Sequence, residues 1–155
     1  MLGERLTRRP EAERARRRGA NVGILMQSHN LFPSLSATDN IKLAMSIAGK
    51  VNEDLAKKLL EQVGLANRAT ARPGQLSGGE LARAGLAVAL AAAPRILLAD
   101  EPTAEVDAVT EGSILDLLSE QCRTGVAVLV ATHSQALAAR ADRIIHLRDG
   151  RITDA

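Results

Sequence analysis

A capped helix followed at once by a short aliphatic strand ending in two carboxylates constrains this chain most. Leu76-Ser77-Gly78-Gly79-Glu80 stands directly ahead of an Ala/Leu-rich stretch, Leu81 to Ala93, which reads as a helix closed by Pro94. Ser77 is a good N-cap, and Glu80 three residues on completes a capping box. Gly78 and Gly79 carry no side chains, so a ligand can approach the amides at the positive end of the helix dipole. That suits a phosphate. An ordinary helix start after a glycine turn has the same wording. The run Arg95-Ile96-Leu97-Leu98-Ala99-Asp100-Glu101-Pro102-Thr103 narrows the choice. It reads as a buried parallel strand that presents Asp100 and Glu101 at its C-terminal end, where open α/β sheets bind ligands.

With these motifs in this order, the chain resembles the nucleotide-binding domain of an ABC transporter ATPase. Leu76 to Glu80 matches the family signature, Ile96 to Asp100 the Walker B strand, Glu101 the catalytic glutamate and Asp107 the D-loop aspartate. The resemblance runs from about Val22 to the C-terminus, and the wording from Gln27 to Asn40 is similar to the lipoprotein-release and macrolide-export branch. The fold it implies is α/β, a partial P-loop NTPase (RecA-like) core with an inserted helical subdomain. On that division residues 21–27 and 94–155 form the core, residues 28–93 the helical subdomain with the signature, and residues 1–20 an Arg-rich helix.

The resemblance also implies roles, with ATP and Mg²⁺ as ligands. Asp100 would hold Mg²⁺ through water, and Glu101 would act as general base on the attacking water. Gln27 matches the Q-loop glutamine, which reaches the Mg²⁺ and that water; its amide both donates and accepts without carrying charge. His133 matches the switch histidine that contacts the γ-phosphate. Ser77, Gly78 and Gly79, with Glu80 and Asp107 beside them, would close the ATP site of a second nucleotide-binding domain in a head-to-tail dimer. A transmembrane permease subunit is the other implied partner, which places the chain in the cytoplasm at the inner face of the membrane. DNA-associated ATPase heads share the signature and Walker B, but they carry coiled coils, and no long heptad run is visible here.

A P-loop, Gly-x-x-x-x-Gly-Lys-Ser/Thr, does not occur in these residues; Gly49-Lys50 is followed by Val51 and lacks the earlier glycine. The reading is therefore a chain that begins inside the domain, after Walker A, and is inactive alone, or a non-catalytic module that lends its signature to an intact partner ATPase. In the family a P-loop strand lies beside the His133 strand, so Val126 to Ala131 is expected to expose an apolar edge. The D-loop has Glu105 where the family usually has a small or polar residue.

Elsewhere the pattern is legible. Residues 1–20 read as a polar helix broken near Pro10 and ended by Gly19, and Val22 to Met26 as a short strand. Ser36 to Asp39 starts a helix with Ile41, Met45 and Ala48 on one face, and Asn52 caps another with Leu55, Leu59 and Val63 inward. Phe32 either faces a membrane subunit or anchors the core. Asp107 to Cys122 reads as an amphipathic helix with Ile114, Leu117 and Leu118 inward and Cys122 a small buried hydrophobe. Ser134 caps a short helix, and Asp149-Gly150 makes a hairpin turn. His29 and His146 match no motif.

Charge and cysteine content bound the function classes. Residues 1–18 hold seven arginines against three glutamates, within a chain of net charge +2. No aromatics interleave those arginines, so base stacking lacks its platform and no nucleic acid is expected. One cysteine excludes an internal disulfide and fits a reducing compartment. No apolar run has the length to span a bilayer.

Overall fold

The computed structural model describes Gly3, residues 7–104 and residues 106–153. Three parallel strands, β1 (Val22–Leu25), β2 (Ile96–Asp100) and β3 (Ala127–Ala131), lie side by side in that order. Ile24, Leu98 and Leu129 sit opposite one another in register. The first strand stops one residue before the expected Met26, and the third begins at Ala127, one residue later than the sequence suggests.

Helix α1 (Glu11–Asn21) leads into β1. Gly19 does not end it. The helix carries on to Asn21, whose Nδ2 donates to the Arg17 carbonyl at 2.9 Å, and Gly19 faces the Ile47 side chain. The expected break lies near Pro10, the helix N-cap, and most of the residues before it are outside those described. Two further helices follow, α2 (Ala37–Ile47) and α3 (Glu53–Gln62). Ser36 accepts from the Asp39 amide and Asn52 from the Leu55 amide, so both start at their expected caps.

The signature helix α4 (Gly78–Leu90) begins three residues earlier than its apolar run and ends before Pro94. After β2 come α5 (Ala108–Arg123), α6 (Gln135–Ala138) and an exposed hairpin of β4 (His146–Arg148) and β5 (Arg151–Thr153). Asp149 and Gly150 both have positive φ, as a two-residue turn of this hand requires.

One core joins α2, α3, α4 and α5 to the sheet; Ile41, Met45, Leu60, Leu65, Leu86, Leu97 and Ile114 are fully buried in it. Its tightest approach is β1 on α4. A Cβ on Gly23 would come to 2.2 Å from the Ala89 carbonyl oxygen, so only glycine lets the strand lie there. Asn40, buried in α2, accepts from the Phe32 amide and donates to the carbonyls of Phe32, Leu35 and Ser36, which pins the segment after β1. Phe32 itself is 60% exposed and is not a core anchor. Cys122 is also exposed, because the buried stripe of α5, Ile114, Leu115 and Leu118, stops one turn short of it.

Among the described residues nothing covers the other sheet face. Ile24, Leu98 and Leu129, adjacent across the three strands, are 60%, 36% and 62% exposed. Among the described strands β3 has a neighbour on one side only, so the expected apolar edge is present. Among the described residues no helix is long and apolar enough to cross a membrane.

Candidate functional site

The C-terminal ends of β2 and β3 bring Glu101 and His133 together. The Glu101 amide donates to the Ala131 carbonyl at 2.9 Å, which extends the strand pairing by one residue and then turns the chain. Glu101 makes that turn with φ of +44°, a left-handed conformation costing a side-chain-bearing residue ~1–3 kcal/mol. The turn aims its carboxylate back across the strand end. Oε1 accepts from the His133 amide at 3.1 Å and lies 2.7 Å from His133 Nδ1, while Oε2 accepts from Thr132 Oγ1 at 3.0 Å.

An ionised carboxylate only accepts, so the contact requires the imidazole hydrogen on Nδ1. These donors favour the ionised form. The His133 hydrogen bond first, then Thr132, holds the Glu101 carboxyl below its ordinary value against the opposing effect of burial. His133 presents most of its ring to solvent. Asp100, at the last position of β2, is exposed as well.

At the start of α4 the capping box is complete. The Glu80 amide donates to Ser77 Oγ at 3.3 Å, and the Ser77 amide donates to Glu80 Oε2 at 2.8 Å. Arg68 Nε lies 3.2 Å from the other Glu80 oxygen, so the carboxylate is engaged within the chain. Its pKa is lowered, by the Ser77 amide first and with Arg68 adding to it. The Gly78 and Gly79 amides open the helix and have no carbonyl a turn behind them within it.

Asp107 caps α5, accepting from the amides of Val109 and Thr110 at 3.0 Å and from Thr110 Oγ1 at 2.8 Å. These bonds, Thr110 first, lower its pKa. Val106 and Asp107 of the D-loop are placed, whereas Glu105 lies outside the described residues.

A cleft of about 310 Å³ opens between the segment after β1, the start of α4 and the turn after β2. Among the described residues its walls take in Gln27, Gly78 and Glu101 of the candidates, but not Asp100, Asp107 or His133. Gln27 is exposed there. Asn30 shapes the same wall: its side chain accepts from the Met26 amide and donates to the Met26 carbonyl. A Cβ on Gly85 would press to 2.9 Å from Asn30 Cβ, so α4 has a glycine where that loop crosses it. Among the described residues no three His, Cys, Asp or Glu side chains cluster as a metal site.

Sequence reasoning missed the side chains that tie the site together. Thr132, Thr103, Glu111 and Ser134 bond across 8 to 31 positions, and no local pattern marks such pairs. The one available signal was Thr132 preceding His133 at the strand end.

The family described as ABC transporter matches residues 2–104. Over 99% of its length the chain is 43% identical to the lipoprotein-releasing system ATP-binding protein LolD of Jannaschia sp. (strain CCS1), covering 69% of that protein. It is 40% identical to LolD 2 of Caulobacter vibrioides, over 98% of this chain and 68% of that one. Among solved structures it is similar to the ATP-binding cassette MJ0796, in a dimeric post-hydrolysis state bound to ADP and Pi. The TM-score is 0.90 at 31% identity, over 99% of this chain and 70% of that one.

Proposed function

The chain belongs to the ABC transporter family as an ATP-binding domain with the P-loop NTPase fold, and we propose that it acts through a composite ATP site shared with a second cassette. In this reading it is the ATP-binding subunit of a lipoprotein-releasing type of transporter. It would work at the inner face of the membrane against a permease subunit and couple ATP binding and hydrolysis to transport. Residues 28–93 form the helical subdomain, with residues 21–27 and 94–155 the core. The dimeric, ADP- and Pi-bound state of the similar cassette supports the head-to-tail partner.

The observation that carries the reading is the pairing of Glu101 with His133 at the ends of β2 and β3. A carboxylate held ionised there would accept a hydrogen bond from the attacking water and take its proton as the water oxygen bonds the γ-phosphorus and the bond to the leaving ADP breaks. Because the pairing lowers its pKa, orienting the water is the larger part of its work, as expected where positioning dominates phosphoryl transfer. His133 stands beside it to hold the γ-phosphate, with Gln27 facing the same cleft as Glu101.

Mg²⁺ binds through one or two carboxylates and completes its shell with water and phosphate oxygens, so the exposed Asp100, with the amide of Gln27, suits it where a closed protein cage would not. When bound, it would neutralise charge developing on the phosphate oxygens.

These 155 residues contain no Gly-x-x-x-x-Gly-Lys-Ser/Thr. For Asp100 and Glu101 to meet a nucleotide, a loop of that pattern must hold its phosphates beside them. What this chain offers another cassette is the amide end of α4, with Ser77, Gly78 and Gly79, flanked by Glu80 and Asp107, closing on the partner's ATP. The test is ATP turnover by a full-length LolD-type cassette whose own signature serine is mutated, with and without this chain. Turnover restored on addition supports the composite site; no restoration at saturating chain rejects it.

A further inference from the structure

We infer that Glu111 is a positioning residue, whose carboxylate ties the turn after β2 to the turn after β3 and so keeps Glu101 and His133 paired. Glu111 sits in the first turn of α5. Its Oε1 accepts from Ser134 Oγ at 2.8 Å and from Thr103 Oγ1 at 3.3 Å. Thr103 is buried two residues after Glu101, and Ser134 follows His133 directly, so one oxygen joins both catalytic turns. A carboxylate suits this place because two hydroxyls converge on it, each with a single proton to give.

The tie reaches Glu101 through hydrogen bonds of defined direction. The Ser134 amide donates to Thr132 Oγ1 at 3.0 Å, which leaves the threonine proton for Glu101 Oε2. With Ser134 held by Glu111, the amide of His133 is carried to Glu101 Oε1. Glu111 is absent from the described walls of the cleft, so it acts through these partners and not on a ligand.

This inference rests on the proposed reading of Glu101 and His133 as a working pair, and its test reads geometry instead of turnover. Amide hydrogen exchange is followed residue by residue in the full chain, comparing wild type with Glu111→Ala, which removes the shared acceptor, and Ser134→Ala. Each variant is expected to speed exchange of the His133 amide about tenfold, as a local opening does. The Glu101 amide, fixed by the Ala131 carbonyl, should be unchanged, and so should the interior of α5. The double variant should go no further than either single one, and Ser134→Thr, which keeps the hydroxyl, should exchange like wild type. Unchanged His133 exchange in Ser134→Ala overturns the inference even if Glu111→Ala fails to fold. Uniform acceleration through α5 and β3 overturns it too, since that marks general destabilisation. If His133 behaves as expected while the composite site shows no turnover, the functional reading fails and the positioning role stands.

Discussion

Gly79 lies so close to Thr110 that a Cβ on it would stand 2.9 Å from the threonine hydroxyl. The same hydroxyl donates to Asp107 at 2.8 Å, so the starts of α4 and α5 meet at one contact. Glycine here serves packing between the starts of α4 and α5. Gly79→Ala is expected to cost ~1–3 kcal/mol by overpacking. Gly112→Ala, inside α5 with nothing within 4 Å, should instead gain up to about 1 kcal/mol. Thermal melts of the two variants check this; equal midpoints would remove the contact from the account.

Acid should undo the caps and the Glu101–His133 pair together. The folded pKa values of Glu80, Glu101 and Asp107 all lie below their ordinary ones, through Ser77, His133 and Thr110 respectively. A group lowered on folding adds stability that is fully present above its unfolded pKa and lost as pH falls through the folded one. Stability should therefore hold from neutral pH down to near the ordinary values of 4.5 and 3.8, then fall. Asp107→Asn should be less stable than wild type at pH 7, with the gap closing as pH falls below the ordinary value of 3.8. A gap of constant size across that range contradicts the prediction.

What the sequence made legible was local. Ser36, Asn52, Ser77 and Ser134 all start helices as read, because a cap and its amide lie three residues apart. The ends of β2 and β3 could be read because an aliphatic run that stops at a polar residue marks where a buried strand leaves the core. What could not be read depends on long-range placement. Gly23 is forced by the Ala89 carbonyl, 66 positions away in the chain, and Phe32 and Cys122 carry no local sign of whether anything covers them. Gly19 misled for a related reason: a helix-ending residue was overridden by packing against Ile47.

The bare sheet face has a consequence in solution. Parallel strands are normally covered on both faces, yet Ile24, Leu98 and Leu129 form an exposed apolar row beside the open edge of β3. The isolated chain should self-associate, and Leu129→Lys should reduce that without lowering the melting temperature. Light scattering across a concentration series measures it. A monodisperse wild-type monomer would contradict the expectation.

The isolated chain should show no ATP turnover above background. The roles proposed for Asp100 and Glu101 need a phosphate-binding loop to bring ATP to them, and these 155 residues contain no Gly-x-x-x-x-Gly-Lys-Ser/Thr. Purified chain with Mg-ATP, set against Glu101→Gln, is the comparison. Turnover that Glu101→Gln abolishes would show that this chain binds and hydrolyses ATP unaided.

In the mixed assay with a signature-deficient full-length cassette, the two ends of the site should separate. Ser77 caps α4 with its hydroxyl held by the Glu80 amide, and the Gly78 and Gly79 amides point along the helix start. Ser77→Arg would fill that approach with a long side chain, so the support given to the partner's turnover should vanish. In the proposed site Glu101 would serve this chain's own nucleotide, and the partner would supply its own general base. Glu101→Gln should therefore leave that support intact, within about twofold, because it removes nothing the partner's site uses. The outcome depends on which end of the chain meets the nucleotide. Equal losses from both variants would mean that this chain's own carboxylate takes part in the observed hydrolysis, and the trans-acting reading would then be wrong.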